Sequence, residues 1–137
     1  MEQVEKVVNV VAYILLPNHF HLLLKQLAKN GISCIMHKLD TSYTNFFNKK
    51  YGRSGALFEG PFKRIHIESN DYILWLSGYI NGNAEIHGIA EAEKYQWSSY
   101  GDFLGVKKDE LITNREIILR QFKERGSLRN LCLPILS

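Results

Sequence analysis

The residues of this sequence best suited to metal chemistry are two histidines one residue apart, His19 and His21. They follow a Pro17-Asn18 break and begin an apolar segment that we predict to be a β-strand. Successive side chains of a strand point to opposite faces, so both imidazoles emerge on one face and Phe20 on the other. Imidazole is both a common metal ligand and an ordinary surface group. The spacing alone therefore leaves a metal site and a polar strand edge open.

A tyrosine and an asparagine, Tyr79 and Asn83, are four residues apart in a segment with helical periodicity. The preceding Ser69-Asn70-Asp71 supplies side chains that cap a helix. Residues four apart lie one turn apart on the same helix face, so Tyr79 and Asn83 can address one point in space. A core tyrosine and an asparagine near a helix end would show the same periodicity. The spacing does not choose between these interpretations.

A cationic and aromatic segment lies between Asn45 and His66. Its basic residues are interleaved with phenylalanines and tyrosines and accompanied by one acid, Glu59. Cations that meet phosphates, together with flat rings on which bases stack, are typical of a single-stranded nucleic-acid surface. A solvated helix end beside core aromatics is the alternative. The candidate DNA-contacting residues are Lys49, Lys50, Arg53, Lys63 and Arg64.

Composition indicates one globular domain spanning residues 1–137. The hydrophobic fraction is 45%, the charged fraction 23% and the net charge +3, and no apolar run approaches the length of a membrane span. No secretory signal is visible, and the two cysteines have no disulfide framework around them. We expect Cys34 to be a buried helical residue. The chain is expected to be cytoplasmic and nucleoid-associated, without a membrane partner.

Hydrophobic periodicity predicts a mixed α+β fold with a small antiparallel sheet and helices packed on it. The predicted elements are strands at 7–16, 19–25 and 62–67, a helix from Ile32 to Gly52, a helix after Ser69, and a last helix that follows a Thr113/Glu116 capping box and ends at Gly126. Residues 107–137 form a predicted C-terminal helical extension. No glycine-rich phosphate loop is visible, so no nucleotide cofactor is expected.

Five short motifs in this order resemble those of the HUH-type single-tyrosine transposases of insertion sequences, and in particular the REP-associated tyrosine transposases. The resemblance covers about Val7 to Gly105. Its motifs are Leu16-Pro17-Asn18-His19-Phe20-His21-Leu22-Leu23-Leu24, Tyr43 with Phe46-Phe47-Asn48, Gly55-Ala56-Leu57-Phe58-Glu59-Gly60, Tyr79-Ile80-Asn81-Gly82-Asn83-Ala84, and Tyr95-Gln96-Trp97-Ser98-Ser99-Tyr100.

The resemblance implies a ferredoxin-like or RRM-like sheet. Family members usually carry another strand and a connecting helix ahead of the segment that begins here, so we expect this sheet to lack its N-terminal strand. The resemblance also implies that Tyr79 is the nucleophile and that His19, His21 and Asn83 hold a divalent metal ion, Mg²⁺ or Mn²⁺. Tyr43, which precedes an aromatic and basic helix end, is the second candidate nucleophile. The pKa of a tyrosine hydroxyl in water is about 10, so at neutral pH the hydroxyl is a weak nucleophile until a metal ion or a nearby base stabilises its ionised form. The implied reaction cleaves and rejoins single-stranded, hairpin-containing DNA through a 5′-phosphotyrosine intermediate during transposition.

Two other functions remain open at this point. One is a catalytically degenerate domain that binds single-stranded nucleic acid without cutting it. The other is a metal-dependent hydrolase in which water replaces the tyrosine as nucleophile. Relatives include monomers and dimers, and pairing of two exposed sheet edges is a physical route to a homodimer.

Overall fold

A computed structural model describes residues 5–114 and 116–125 of the chain. The fold class is α+β, as predicted, with a two-stranded antiparallel sheet and helices. Its elements are strands β1 (Val8–Leu15) and β2 (Phe20–Gln26), helices α1 (Gly31–Tyr51) and α2 (Asn70–Ile86), a 3₁₀ turn (Ala92–Lys94), and helices α3 (Tyr100–Phe103) and α4 (Glu116–Arg125).

Two compact units divide these elements. The first unit comprises the described residues up to Val8 together with Gln26–His66, and therefore contains α1 and the loop that follows it. The second comprises Asn9–Lys25 and the described residues from Ile67 onward. Nearly all of the β1–β2 hairpin and the whole of α2 belong to the second unit.

The β1–β2 hairpin turns at Pro17-Asn18, as predicted. The Leu16 N–H donates to the His19 carbonyl at 2.8 Å, which closes the turn and fixes where β2 begins. A short extended segment pairs with the other side of β1: the Leu15 N–H donates to the Trp97 carbonyl at 2.8 Å, and the Ser99 N–H donates to the Tyr13 carbonyl at 2.9 Å. Both long sides of β1 are thereby hydrogen-bonded.

The core of the second unit lies between the hairpin and α2. Ile14 on β1, Ala84 on α2 and Ile118 on α4 have no solvent-accessible surface, and Leu74 and Ile80 are almost as deeply buried. Burying a large aliphatic side chain contributes about 1.5–3 kcal/mol. The helix is therefore held against the hairpin along much of its length.

Helix α1 dominates the first unit and is largely exposed. Its predicted end is confirmed, since Gly52 follows Tyr51 with a left-handed φ of 62° and its N–H donates to the Asn48 carbonyl. Only Gly31 and Met36 of this helix are buried. A Cβ at Gly31 would collide with the Val7 carbonyl oxygen, so a glycine is needed there. Cys34 is exposed, so its predicted burial is wrong.

The strand predicted at residues 62–67 is not formed. Residues 62–69 have no regular structure, and Ile65 is 70% exposed. Alternation of side chains stabilises a strand only when its backbone finds a neighbouring strand. The first unit, as far as the structure describes it, supplies α1 and loop rather than such a neighbour.

The last described element is α4. Its predicted start is approximately right, but the Thr113 hydroxyl accepts a hydrogen bond from the Val10 N–H at 2.8 Å, which ties this segment to β1. The predicted helix end at Gly126 and the rest of the proposed extension 107–137 beyond Arg125 lie outside the described residues. No described helix is long and apolar enough to cross a membrane.

Candidate active site

Helix α2 positions two of the predicted site residues, Tyr79 and Asn83. The helix begins as its sequence predicts, because the Ser69 side chain accepts a hydrogen bond from the Tyr72 N–H at 3.2 Å. It then runs to Ile86 without a break. Tyr79 is half-buried and packs against the core, whereas Asn83 is fully buried. The two side chains therefore share one well-supported helix face.

The β1–β2 turn positions the other two, His19 and His21. The Nδ1 atom of His19 lies 2.7 Å from the Asn18 amide oxygen. Because that oxygen can only accept, the neutral His19 ring carries its proton on Nδ1 and leaves a lone pair on Nε2. A carbonyl-type oxygen behind an imidazole is the usual support for a metal-binding histidine.

The structure brings the histidine pair and the tyrosine together. The ring centroids of His19 and His21 are 5.2 Å apart, and the His21 ring meets the Tyr79 ring edge-on, with centroids 5.9 Å apart. A third histidine, His87, follows the end of α2, and its ring centroid lies 5.4 Å from that of His19. Three imidazoles and one phenol thus form a single cluster within the second unit.

His21 has an electrostatic environment that keeps its ring neutral. Burial lowers the pKa of His21 below its usual value of 6.5, and the neighbouring His19 and His87 lower it further. A neutral imidazole offers a nitrogen lone pair, which a protonated one cannot. At neutral pH His21 is therefore ready to act as a ligand.

Asn83 lies between Tyr79 and His87, four residues from each. Tyr79 contacts His21 and His87 contacts His19, so the residues four positions before and four positions after Asn83 both meet the histidine pair. Asn83 is 0% exposed, and neither atom of its amide has a hydrogen-bond partner among the described residues. Leaving a buried polar group unpaired costs about 1–3 kcal/mol. An unpaired buried group of this kind calls for a specific explanation, and a bound ion is one.

The free-energy cost of burying the unpaired Asn83 amide can be measured by comparison with a second buried asparagine of the same helix, whose amide is paired. Asn81 is also buried, but its amide oxygen accepts a hydrogen bond from the Ser99 hydroxyl at 2.6 Å. Asn83→Ala is expected to raise the free energy of unfolding by about 1 kcal/mol, because it removes an unpaired amide and improves helix propensity. Asn81→Ala is expected to lower it by about 1–2 kcal/mol. Urea denaturation without metal measures both; an equal loss in the two variants would contradict the unpaired state of Asn83.

An aromatic ladder continues the Tyr79 face toward the start of α2. Trp75 stacks nearly parallel on Tyr79, with centroids 5.4 Å apart and planes 8° apart. Tyr72 stacks on the other side of Trp75, at 6.0 Å and 14°. We define Tyr72, Trp75 and Tyr79 as the aromatic ladder. It ends at the His21 ring, so the tyrosine stands between Trp75 and the histidines.

The five candidate DNA-contacting cations all belong to the first unit, whereas the histidine–tyrosine cluster belongs to the second. All five are exposed. Lys50 lies over the rings of Phe46 and Tyr51, with its Nζ 5.9 and 5.4 Å from their centroids. Arg53 has structural contacts: it donates to the Asn48 amide oxygen at 2.8 Å and the Ala56 carbonyl at 3.2 Å. These contacts hold the loop after α1.

Two residues were missed at the level of sequence, His87 of the cluster and Trp75 of the aromatic ladder. Both are separated from Tyr79 by a multiple of four residues, since Trp75 lies four residues before it and His87 eight residues after it. Extending the four-residue spacing of Tyr79 and Asn83 by one step in each direction would have found them. His87 lies just past the helix end at Ile86, where that periodicity is weakest.

The side chains that could bind a metal ion at this cluster offer both nitrogen and oxygen ligands. Within residues 5–114 and 116–125, no group of three or more histidine, cysteine, aspartate or glutamate side chains is arranged to hold a metal ion. The candidate set has a different composition, with the imidazole nitrogens of His19 and His21 and the amide oxygen of Asn83. The unpaired buried amide of Asn83 and the oriented imidazole of His19 fit a divalent ion that accepts both nitrogen and oxygen ligands.

Comparisons of the chain with protein-family models, with curated proteins and with solved structures find no match.

Proposed function

We propose that this chain is a metal-dependent HUH-type nuclease of the single-tyrosine transposase kind, with Tyr79 as its nucleophile. The observation that carries the proposal is the contact between His21 on β2 and Tyr79 on α2, whose ring centroids are 5.9 Å apart. Sequence spacing leaves the histidine pair and the tyrosine as separate motifs. Their contact within one unit is what a shared reaction centre requires.

The Tyr79 hydroxyl is free to react. Tyr79 is half-buried, its ring contacts His21 and Trp75, and its hydroxyl has no hydrogen bond to another described residue. A tyrosine kept only for packing normally has its hydroxyl paired when it is buried. In the proposed reaction the hydroxyl oxygen attacks a phosphodiester phosphorus and releases its proton to solvent. The bond from phosphorus to the 3′ oxygen breaks, and that oxygen takes up a proton, which leaves a 5′-phosphotyrosine and a 3′-hydroxyl.

His19, His21 and Asn83 are the residues that would hold a divalent ion, Mg²⁺ or Mn²⁺, which when bound polarises a phosphate and offsets the charge that develops on it. Asn18 orients His19 so that its Nε2 is available. Burial keeps His21 neutral at physiological pH. The core around Ile80 and Ala84 holds Asn83 in place on α2. The chain thus fixes the donors before any substrate arrives.

The proposed substrate is single-stranded or hairpin DNA. Support comes from the exposed cations of the first unit, which can meet phosphates, and from the rings with which Lys50 and Arg53 are in contact. We also propose that the second unit is built on a ferredoxin-like or RRM-like plan. The pairing of residues 97–99 with β1, opposite β2, supports a sheet larger than the two regular strands.

The test of this function is a covalent capture experiment. The protein is incubated with a library of hairpin DNAs and Mn²⁺, then denatured and separated by electrophoresis. A 5′-phosphotyrosine predicts that strands labelled at the 3′ end migrate with the protein, whereas strands labelled at the 5′ end appear as shortened free fragments. The proposed chemistry would be wrong if strands labelled at the 5′ end migrated with the protein instead, or if no hairpin of the library gave labelled protein.

A non-catalytic single-stranded nucleic-acid-binding domain is the second candidate. It is favoured by the aromatic surface of α1, where Tyr43, Phe46 and Tyr51 are 46%, 60% and 60% exposed beside Lys50. This function needs neither a free Tyr79 hydroxyl nor an unpaired Asn83. In the capture experiment it predicts retention of DNA on native gels and complete release on denaturation.

A further inference from the structure

We propose that the first unit binds a guanine base of single-stranded DNA in a pocket between α1 and the loop that follows it. This rests on the proposed function, because DNA is the proposed substrate, and it adds the base that the protein selects. The pocket has a volume of about 460 Å³, and all of its lining residues belong to the first unit. Its walls include Asp40, Thr44 and Asn45 on α1 and Ala56, Phe58 and Pro61 on the loop.

Hydrogen bonds hold the loop wall of the pocket against α1. The Asn48 side-chain amide donates to the Gly55 carbonyl at 2.9 Å, and Arg53 donates to the Ala56 carbonyl at 3.2 Å. Arg53 also donates to the Asn48 amide oxygen at 2.8 Å, so the two side chains hold each other. The pocket is therefore formed before a ligand arrives, which reduces the ordering cost of binding.

Asp40 gives the pocket its preference for hydrogen-bond donors. The Thr44 hydroxyl, one helical turn later, donates to Asp40 Oδ1 at 3.3 Å, and Asp40 Oδ2 has no hydrogen-bond partner among the described residues. An ionised carboxylate accepts hydrogen bonds and donates none, and its two oxygens can accept from two neighbouring donors at once. Asp40 therefore suits a ligand that carries two adjacent N–H groups.

Guanine is the DNA base with two adjacent N–H groups on one edge, at N1 and at the 2-amino group. In a single strand this Watson–Crick edge is unpaired, so a protein can bind it. Adenine and cytosine each present an amino group beside a ring nitrogen that only accepts, and a carboxylate repels such a nitrogen. Thymine presents one N–H between two carbonyl oxygens. The Asp40 carboxylate consequently favours guanine over the other three bases.

The other walls of the pocket suit the rest of the guanine ring. Asn45 carries a side-chain amide that can donate to the guanine O6 atom, which accepts hydrogen bonds. Phe58 and Pro61 provide apolar contact for a flat base. Phe58 is half-buried, and its ring centroid lies 6.2 Å from that of Tyr43 on α1, which helps to hold the ring in place. A few polar groups beside apolar walls are the usual composition of a ligand pocket.

The charges of the first unit favour a base rather than a phosphate at Asp40. Between Gln26 and His66, seven lysines and arginines accompany two acids, Asp40 and Glu59. The phosphates of a bound strand are attracted to the cations and repelled by a carboxylate. A base carries no charge, so it is the part of a nucleotide that can approach Asp40.

Binding of oligonucleotides in EDTA tests the pocket without cleavage. A labelled fifteen-residue oligothymidylate with one central guanine is followed by anisotropy and compared with probes that carry thymine, adenine, cytosine or hypoxanthine at that position. We expect the guanine probe to bind roughly 5- to 100-fold more tightly than the thymine probe, because a bidentate pair discriminates by about this much. Hypoxanthine keeps N1–H and O6 but lacks the 2-amino group, so its probe should bind with intermediate affinity. Equal affinity for all probes, a preference for another base, or no binding at all would overturn the inference.

Two acid variants separate the role of Asp40 from the general charge of the surface. Asp40→Asn replaces one carboxylate oxygen with an amino group, so it is expected to abolish the preference for guanine. Its affinity for plain oligothymidylate should be at least that of the wild type, which also shows that the variant is folded. Glu59→Gln removes the same charge from a residue that does not line the pocket, and it should keep the preference. A preference that persists in Asp40→Asn, or that is lost in both variants, would overturn the inference.

The outcomes separate this pocket from the proposed chemistry and from a site for free nucleotides. A covalent adduct in the wild type without any preference for guanine keeps the chemistry and removes the pocket. A preference for guanine without any adduct across the hairpin library keeps the pocket and removes the chemistry. If deoxyguanosine monophosphate competes as well as the unlabelled guanine oligonucleotide, the pocket belongs to a free nucleotide and its role in DNA binding is overturned.

Discussion

Replacing Tyr79 with phenylalanine is expected to lower the yield of covalent protein–DNA adduct at least about a thousandfold. The substitution removes one oxygen atom, which is the proposed nucleophile. The other tyrosine of the same helix, Tyr72, is separated from Tyr79 by Trp75, so its hydroxyl is not placed to act instead. The capture experiment described above measures this loss directly.

The same substitution is expected to leave the fold intact. Phenylalanine keeps the ring that stacks on Trp75 and meets His21, and the lost hydroxyl has no partner among the described residues. The free energy of unfolding should therefore change by less than about 0.5 kcal/mol. Loss of the adduct without loss of stability would distinguish a chemical role for Tyr79 from a structural one.

Two tyrosine variants serve as controls. Tyr43 belongs to the first unit and ranks second as a nucleophile by sequence, and it is 46% exposed. Tyr43→Phe and Tyr72→Phe should both form adduct within about twofold of the wild-type yield. An adduct that persists in Tyr79→Phe and disappears in Tyr43→Phe would move the nucleophile to α1. Nicking that persists in Tyr79→Phe without any adduct would indicate a hydrolase that uses water.

The elements that position the site were predictable from local signals. The Pro17-Asn18 break, the Ser69 cap and the glycine at 52 each act on neighbouring backbone, and each does so as expected. Signals of this kind depend on a few adjacent residues, so one sequence is enough to interpret them. They place His19 and His21 at the start of a strand and Tyr79 and Asn83 on one helix face.

Features that depend on distant partners were not predictable in the same way. Alternation at residues 62–67 resembles a strand, but the backbone there has no neighbouring strand within the first unit as described. Residues 97–99 do pair with β1, although they are too few to show a pattern. The contact between His21 and Tyr79 is of the same distant kind. The family resemblance implied that contact, whereas periodicity did not.

Removing either histidine is expected to weaken Mn²⁺ binding at least about 100-fold. Loss of a group that only orients a metal ligand typically weakens metal binding about 10- to 100-fold, and loss of a ligand itself should weaken it at least as much. His19→Gln and His21→Gln each remove one imidazole while keeping a polar side chain of similar length. The measurement is the electron paramagnetic resonance signal of free Mn²⁺ in titrations without DNA, so it does not depend on catalysis.

A further variant tests whether the hydrogen bond that orients His19 also contributes to Mn²⁺ binding. Asn18→Ala removes the oxygen that accepts from His19 Nδ1 at 2.7 Å. We expect it to weaken Mn²⁺ binding about 10-fold, because the ring loses its fixed orientation but keeps its lone pair.

His37 on α1 provides the control for the histidine variants, since it is an exposed histidine of the first unit. His37→Gln should bind Mn²⁺ as the wild type does. An equal loss in His37→Gln would mean that the ion associates with surface imidazoles in general. Wild-type affinity in both His19→Gln and His21→Gln would remove the metal site, and the unpaired Asn83 amide would then require another ligand. If Mn²⁺ binding is weakened only in the variants of His19, His21, Asn18 and Asn83, the ion binds beside the helix face that Tyr79 shares with Asn83.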